Sequence, residues 1–523
     1  MAVDKSREKG DTMQASSDHI DDLQAFQEQD ISLDKDVTDV NFSMAEEEFI
    51  AHEKSLVRKL DYTLVPMVWL LYLFNYLDRN NIAQARLSSF EKDLNLTGNQ
   101  FNVAVSILNI GYMLMQLPSN MLITRTRPGI YIPACTSLWS IVSAATAGAG
   151  NYTHLLVIRF FLGITEAPFF PGAMYLLSCW YPRKELALRT AVLYSGVLLA
   201  TAFSGLIAAG VLSSLEGARG IAGWQWLFII EGAGSFTAAL LGFALLPDFP
   251  GQRSGVAKWL LTDAEQRVAV ERIRRDRVSL PEADSSVWNG LKLAIKDPRT
   301  WVFVSHAEIC RENITHRDAE RYTDTAVKQV VMLTANHSAY GFNNFFPTIV
   351  KGFKLGSNTL TLILTAPPYL LATVVAFTTA WSSDRRKERG FHISVPQGVA
   401  CVGFIISVST VNIVARYFAA FLYICGCFSS NAMVFSWASS TLNQTPEKRA
   451  CATAIINLLS QLGNIWSPYF FPSNDGPRYV MANLLMMASS ALSIVTCVIM
   501  KIMLTRANKS LKREGRDTTL YTL

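Results

Sequence analysis

Two acid–arginine pairs lie inside apolar stretches of this chain, and they are the residues best placed to do chemistry. Asp78-Arg79 sits in VPMVWLLYLFNYLDRNNIAQARL, and Arg159 and Glu166 sit in LLVIRFFLGITEAPFFPGAMYLL. Each stretch is long enough to cross a bilayer, where a charge facing lipid is costly. Four ionisable groups at that depth are expected to face a polar cavity or one another, and so to mark a route for ions or a charged substrate. Glu166 follows Arg159 by seven residues, which is two helical turns on one face and about 10 Å along the axis. Asp78 and Arg79 are neighbours on a helix and point in different directions, so one of them is free to be structural.

The elements that position these groups are apolar helices. Half of the 523 residues are hydrophobic and 17% are charged, with a mean hydropathy of +0.22. A soluble chain of this length would carry more charge and interrupt its apolar runs more often. Here runs of about 20 residues recur. They predict about twelve spans, near 62–85, 100–124, 128–149, 152–177, 189–213, 223–247, 330–351, 358–381, 393–413, 416–440, 449–471 and 479–504. Basic residues cluster on alternate connections: Arg125 with Arg127, Arg183-Lys184, Arg385-Arg386-Lys387, Lys448-Arg449, and Lys509 to Arg513. The positive-inside rule then places both termini and the long central loop in the cytoplasm. A net charge of +5 spread in this way signals topology and gives no reason to expect nucleic acid as a partner.

The fold class expected is an all-α polytopic membrane protein in two six-helix halves. Residues 1–57 read as a disordered acidic tail, 58–247 as the first half, 248–300 as a cytoplasmic linker, 301–504 as the second half and 505–523 as a short tail. Inside the linker, Thr262-Asp263-Ala264-Glu265 has the capping-box spacing at the head of an amphipathic helix. Loop 2–3 and loop 8–9 hold related basic motifs, Arg125-Thr126-Arg127 and Ser383-Asp384-Arg385-Arg386, an echo of duplication. The stretch 305–331 is polar and interrupts the seventh span. It reads either as a genuine insertion or as a translated intron, since Val304-Ser305 and Gln329 are compatible with splice-donor and splice-acceptor codons.

Several motifs in order carry a family resemblance. LVPMVWLLYLFNYLDRNNIAQARL, RFFLGITEAPFFPGAMYLLSCWYPRKELALR, GWQWLFIIEG, SAYGFNNFFPTIV, SSDRRKERG and GNIWSPYFFP together resemble the anion:cation symporters of the major facilitator superfamily, most of all the fungal allantoate and nicotinate permease branch. YLDR followed by RFFLGITEAP is the specific part, and the likeness spans about residues 55 to 510 apart from the polar stretch. The resemblance implies the major facilitator fold, with a substrate site at mid-depth between the halves. It also implies proton-coupled uptake of a small organic anion, a carboxylate such as allantoate or nicotinate, across the plasma membrane. On this likeness Arg79 is the expected substrate-anion ligand, Asp78 and Glu166 the protonation sites, and Arg159 the charge that tunes them.

That assignment is chemically coherent. A guanidinium stays charged and presents a planar fork to a carboxylate. Burial favours the neutral form of a carboxyl group, and a nearby guanidinium favours the ionised form. A substrate anion that captures the guanidinium would therefore promote protonation of the carboxyl it leaves behind. The competing reading is a static salt bridge that fixes helix packing, with Asp78 as one partner open to Arg159.

Other polar groups fill in the site. Asn343, Asn344, Asn457 and Asn464 lie in the second half, where they would bind substrate or hydrogen-bond between helices. Tyr340 would line a cavity for a ring-bearing acid. Arg183, Glu185, Arg189, Asp384 and Arg385 fall in cytoplasmic connections, where such clusters latch the inner gate in the superfamily resembled; plain positive-inside charge is the alternative. His337, read as the lone histidine within a span, is more at home as a packing group than as a proton relay. The eight cysteines are scattered, and no metal-ligand spacing, cofactor motif or nucleophile–base pair marks an enzyme. The rival to a transporter is a nutrient sensor on the same scaffold, or a transport-impaired product if the polar stretch disrupts the seventh helix.

Overall fold

The computed structural model describes residues 45–123, 126–251, 256–276, 342–354, 356–386, 388–441, 463–472, 475–476 and 478–513. It divides into two units, Met1–Ser55 and Leu56–Leu523, and the site lies within the second. Among the described residues every regular element is helical. The expected polar stretch 305–331, Tyr340, His337 and Asn457 fall outside them, as do the side chains of Arg183 and Asp384.

Helix α1 (Glu46–Ala85) is followed by α2 (Gln100–Ile123), α3 (Pro128–Ala145), α4 (Tyr152–Glu166), α5 (Phe169–Trp180), α6 (Arg183–Ser214) and α7 (Gly223–Leu245). The linker carries α8 (Asp263–Asp276). The second half contains α9 (Phe346–Lys351), α10 (Asn358–Ile363), α11 (Ala366–Arg386), α12 (Gly390–Ser409), α13 (Ile413–Thr441), α14 (Gly463–Trp466) and α15 (Val480–Arg513). Nine helical stretches among the described residues are long and apolar enough to cross a membrane. Helix α2 is not one of these nine, and Asn102, Ser106, Asn109 and Gln116 are buried along it.

Three boundaries correct the sequence expectation. The first helix begins at Glu46 and not after residue 57, because Glu46, Glu47 and Glu48 occupy its first turn, where carboxylates favour the helix N-terminus. The fourth span is two helices: Pro168 has no N–H and crowds the carbonyl of Ile164, so α4 ends at Glu166 and α5 starts at Phe169. Helix α12 starts at Gly390, earlier than residue 393, so His392 lies inside a candidate span, as does His154 at the start of α4, and His337 is not the lone histidine within a span. The linker behaves as its motif predicts, with Glu265 N–H donating to Thr262 Oγ1 at 3.3 Å and Thr262 N–H to Glu265 Oε2 at 2.8 Å.

Glycine sets the closest crossing of the first half. A Cβ on Gly163 of α4 would lie 2.0 Å from the Leu108 carbonyl oxygen, and one on Gly111 of α2 would lie 2.3 Å from that of Phe160. The two backbones therefore touch, as small residues permit in membrane helices. The halves meet near the end of α1. Lys351 Nζ and Asn358 Nδ2 both donate to the Leu87 carbonyl, at 3.2 and 3.0 Å. Phe345 stacks on Phe471 with ring centroids 4.6 Å apart and meets the edge of Phe101 at 6.0 Å. Ser106 Oγ and Asn109 Nδ2 of α2 reach the carbonyls of Ile465 and Asn464.

Candidate functional site

The α2–α4 crossing brings α4 against the face of α1 that carries Arg79. Arg79 Nε donates to Glu166 Oε2 at 2.5 Å, and the glutamate is fully buried. The guanidinium also lies over two rings, 4.5 Å from the centroid of Tyr112 and 5.3 Å from that of Tyr76. The ring faces attract the cation and replace part of the solvation it loses on burial. Tyr76 precedes Arg79 by three residues and so shares its helix face, a signal available in the sequence. Tyr112 comes from α2, and no local pattern connects it to Arg79.

Arg159 lies on the same α4 face, two turns before Glu166, and is 2% exposed. Its Nε and Nη1 have no hydrogen-bond partner among the described residues. It interacts through charge with Glu166, Arg79 and Asp78. A buried guanidinium with unused donors is prepared to receive an anion.

Asp78 points the other way, as adjacent positions on a helix require. It accepts from Ser143 Oγ of α3 at 2.7 Å and from Ser235 Oγ of α7 at 2.6 Å, and is fully buried. Both hydroxyls belong to the first half, and the coupling of Asp78 to Arg159 is through space. Arg79 and Glu166, on different helices, meet directly.

One acid was not singled out. Glu231, in GWQWLFIIEG on α7, is 3% exposed and sits one turn before Ser235. It carries the same signal that identified Glu166, a carboxyl within an apolar span, and the same reasoning would have found it.

The second half contributes Asn343, which donates from Nδ2 to Asn80 Oδ1 at 3.0 Å and accepts from Tyr369 Oη at 2.9 Å. Asn80 in turn donates to Thr201 Oγ1 at 3.1 Å, so a polar chain runs from α6 through α1 to the second half. Asn344 is half-buried beside it. Asn464 presents its backbone carbonyl to Asn109.

Of the expected latch residues, Arg189 grips Asp61 of α1 with two bonds, Nη2 to Oδ2 at 2.8 Å and Nε to Oδ1 at 3.1 Å. Tyr181 Oη also donates to Asp61, at 2.8 Å, and its ring lies under the arginine. Glu185 pairs with Arg272 of α8 at 2.7 Å. These contacts tie the linker helix and α6 to α1 within the first half. Arg385 is exposed and lies over Trp381.

Comparison with known proteins agrees with this architecture. Residues 68–468 match the family model described as the Major Facilitator Superfamily. The chain is 34% identical to the major facilitator-type transporter hxnP of Emericella nidulans, over 82% of this chain and 81% of that one. It is 32% identical to the MFS-type transporter cnsO of Penicillium expansum, over 82% and 79%. Among solved structures, a bacterial homologue of the human lysosomal transporter Spinster in an inward-facing, unoccupied conformation superposes with a TM-score of 0.62. That likeness covers 85% of this chain and 97% of the other at 15% identity. A D-xylose-proton symporter gives a TM-score of 0.59 over 83% and 97% at 13% identity. At these identities the two solved structures speak for the fold alone.

Proposed function

Because the chain belongs to the Major Facilitator Superfamily, we propose that it is a secondary active transporter that takes up a small organic anion together with protons. It is a multi-pass membrane transporter and not an enzyme, in keeping with relatives that are named transporters. The reading of its substrate rests on one observation, the ion pair of Arg79 with the buried Glu166 and the unused donors of Arg159 beside it.

Glu166 meets Arg79 through one oxygen, so an incoming carboxylate that accepts from the guanidinium fork at two points can take its place. When it takes the guanidinium, Glu166 is left buried and charged without its partner, and binding a proton removes that cost. One anion and one proton then enter a site of unchanged net charge. Rocking of the halves about it carries both across, and reversal of the exchange on the other side releases them. Arg159 offers a second cationic contact, and Asp78 is a further place for a proton. Asn343, Asn344 and Asn464, together with Tyr340 and Asn457, supply neutral contacts from the second half.

The assignment of cytoplasmic termini and linker rests on the alternate basic connections, and that of the plasma membrane on the family resemblance. In that frame the Leu87 and Phe345 contacts seal the outer end. Halves at 58–247 and 301–504 flank the linker 248–300.

The test is uptake of labelled organic acids by permease-deficient yeast expressing the chain, at about pH 5 and pH 7. Uptake of one carboxylate, stronger at the lower pH and lost in Arg79→Ala, supports the reading. Uptake of neutral solutes alone would contradict it.

A further inference from the structure

On the far side of α1 from the ion pair lies a second buried polar cluster, formed by Asp78 and Asn81 of α1, Ser143 of α3, and Glu231 and Ser235 of α7. Its register is built in. Asp78 and Asn81 are three apart on α1, and Glu231 and Ser235 are four apart on α7, so each pair shares a face. The Ser235–Asp78 hydrogen bond at 2.6 Å then sets Glu231 against Asn81, and their side chains interact. Within this arrangement both carboxyl oxygens of Glu231 and both amide atoms of Asn81 are buried without a hydrogen-bond partner among the described residues.

Those four atoms match in only one protonation state. An ionised Glu231 has acceptors alone and leaves the Asn81 carbonyl oxygen unsatisfied. A neutral Glu231 donates its O–H to Asn81 Oδ1 and accepts from Asn81 Nδ2, a reciprocal acid–amide pair. Charge balance agrees. Against three buried carboxyls (Asp78, Glu166, Glu231) the first half sets one buried guanidinium, Arg159, and one half-buried, Arg79, so neutrality of the set requires one proton. Glu166 has its charge partner in Arg79 and Asp78 has two hydroxyl donors, whereas neither carboxyl oxygen of Glu231 has a donor among the described residues. The remaining acid is Glu231.

We propose that Glu231 is a proton-holding site of the transporter, carrying its proton in a pair with Asn81 and standing next to Asp78. The titratable group that acts on it is Asp78 from α1; α3 presents Ser143 and the Trp139 indole to Asp78, and Gly232 beside Glu231 packs against Ser140 and Ala144. Asp78 also senses Glu166 and Arg159, so it stands between the two proton sites. What the proton is used for rests on the proton-coupled reading above; its presence on Glu231 does not.

The test is infrared spectroscopy of the purified full-length protein at neutral pH without substrate. A protonated carboxyl gives a C=O stretch distinct from that of a carboxylate. The proposal expects this band in the unmodified protein, its loss in Glu231→Gln and its retention in Asp78→Asn. Asn81→Leu removes the hydrogen-bond partner and shifts the band to higher frequency, which keeps the test decisive if Glu231→Gln does not fold. A band that survives Glu231→Gln, that disappears in Asp78→Asn, or that stays put in Asn81→Leu overturns it. Loss of the band in Glu231→Gln from a protein whose uptake proves independent of protons would keep this site and sink only the coupling.

Discussion

Arg79 and Glu166 are 87 positions apart and form one buried ion pair, while Asp78, next to Arg79 in the chain, faces a different set of helices. The division follows from the 100° turn between adjacent helical residues. One dipeptide thereby serves two sites: a guanidinium aimed at α4 and a carboxylate aimed at α3 and α7.

Removing one partner of the ion pair leaves the other buried and uncompensated. Arg79→Ala is expected to destabilise the protein by about 3–5 kcal/mol, whereas Arg79→Met with Glu166→Leu, which removes both charges, restores most of that loss. Uptake stays absent in both. Thermal unfolding in detergent, followed alongside transport, separates the two effects. Recovery of transport in the double variant would mean that the pair is scaffolding.

The α2–α4 crossing should be intolerant of a single methyl group. Gly163→Ala puts a Cβ against the Leu108 backbone, which cannot move aside as a side chain can. A loss of about 1–3 kcal/mol is expected, the usual cost of overpacking. Gly398 of α12 has nothing within 4 Å of its would-be Cβ, so Gly398→Ala should be neutral or stabilising by up to about 1 kcal/mol. Equal melting temperatures for the two variants would refute the close crossing.

A pH-dependent contribution to stability comes from Glu388, between the candidate spans that end at Ser383 and start at Gly390. Burial alone would raise its carboxyl, but hydrogen bonds from Lys501 Nζ at 2.8 Å, from the Phe391 N–H at 2.8 Å and from His392 at 3.0 Å outweigh this and hold it below the usual carboxylate range. A depressed carboxylate stabilises the fold above its unfolded value, about 4.3, and that contribution disappears as pH falls through the folded value. Lys501→Ala should therefore reduce stability at neutral pH, with the gap from the unmodified protein closing in acid as pH falls through the folded value. A gap that is constant with pH would locate the effect elsewhere, for example in the loss of Lys501 packing over Phe391.

The grip of Arg189 on Asp61 is 38% exposed on the aspartate side. Asp61→Asn should cost no more than about 1 kcal/mol in stability. If the contact latches one conformation, the same variant changes the rate of transport more than the affinity for substrate. An unaltered rate would make the contact a plain tie between α1 and α6.

Much of this arrangement is legible in the sequence because a membrane restricts what a chain can do. Backbone polar groups must be satisfied within each segment, so long apolar runs become helices, and charges within them become sites. Asp78, Arg79, Arg159 and Glu166 could be picked out for that reason, and their helix faces followed from spacing. Partner choice was not legible. Nothing local tells that Arg79 pairs with Glu166, or that Asp78 takes Ser143 and Ser235; those follow from the Gly111–Gly163 crossing and the packing of α3 and α7. The break at Pro168 and the helical start at Glu46 were readable from proline and acidic first-turn chemistry, but apolar periodicity alone runs past both. The contact of Asn343 with Asn80 joins residues 263 apart and depends on how the halves meet.

The most direct test of proton–anion symport is to reconstitute the purified protein in vesicles with a trapped pH indicator and add the transported carboxylate outside. The account predicts that protons enter with the anion, and that Glu166→Gln stops net proton movement while still exchanging labelled for unlabelled anion. Accumulation of the anion with no proton movement, or unchanged proton movement in Glu166→Gln, would contradict it.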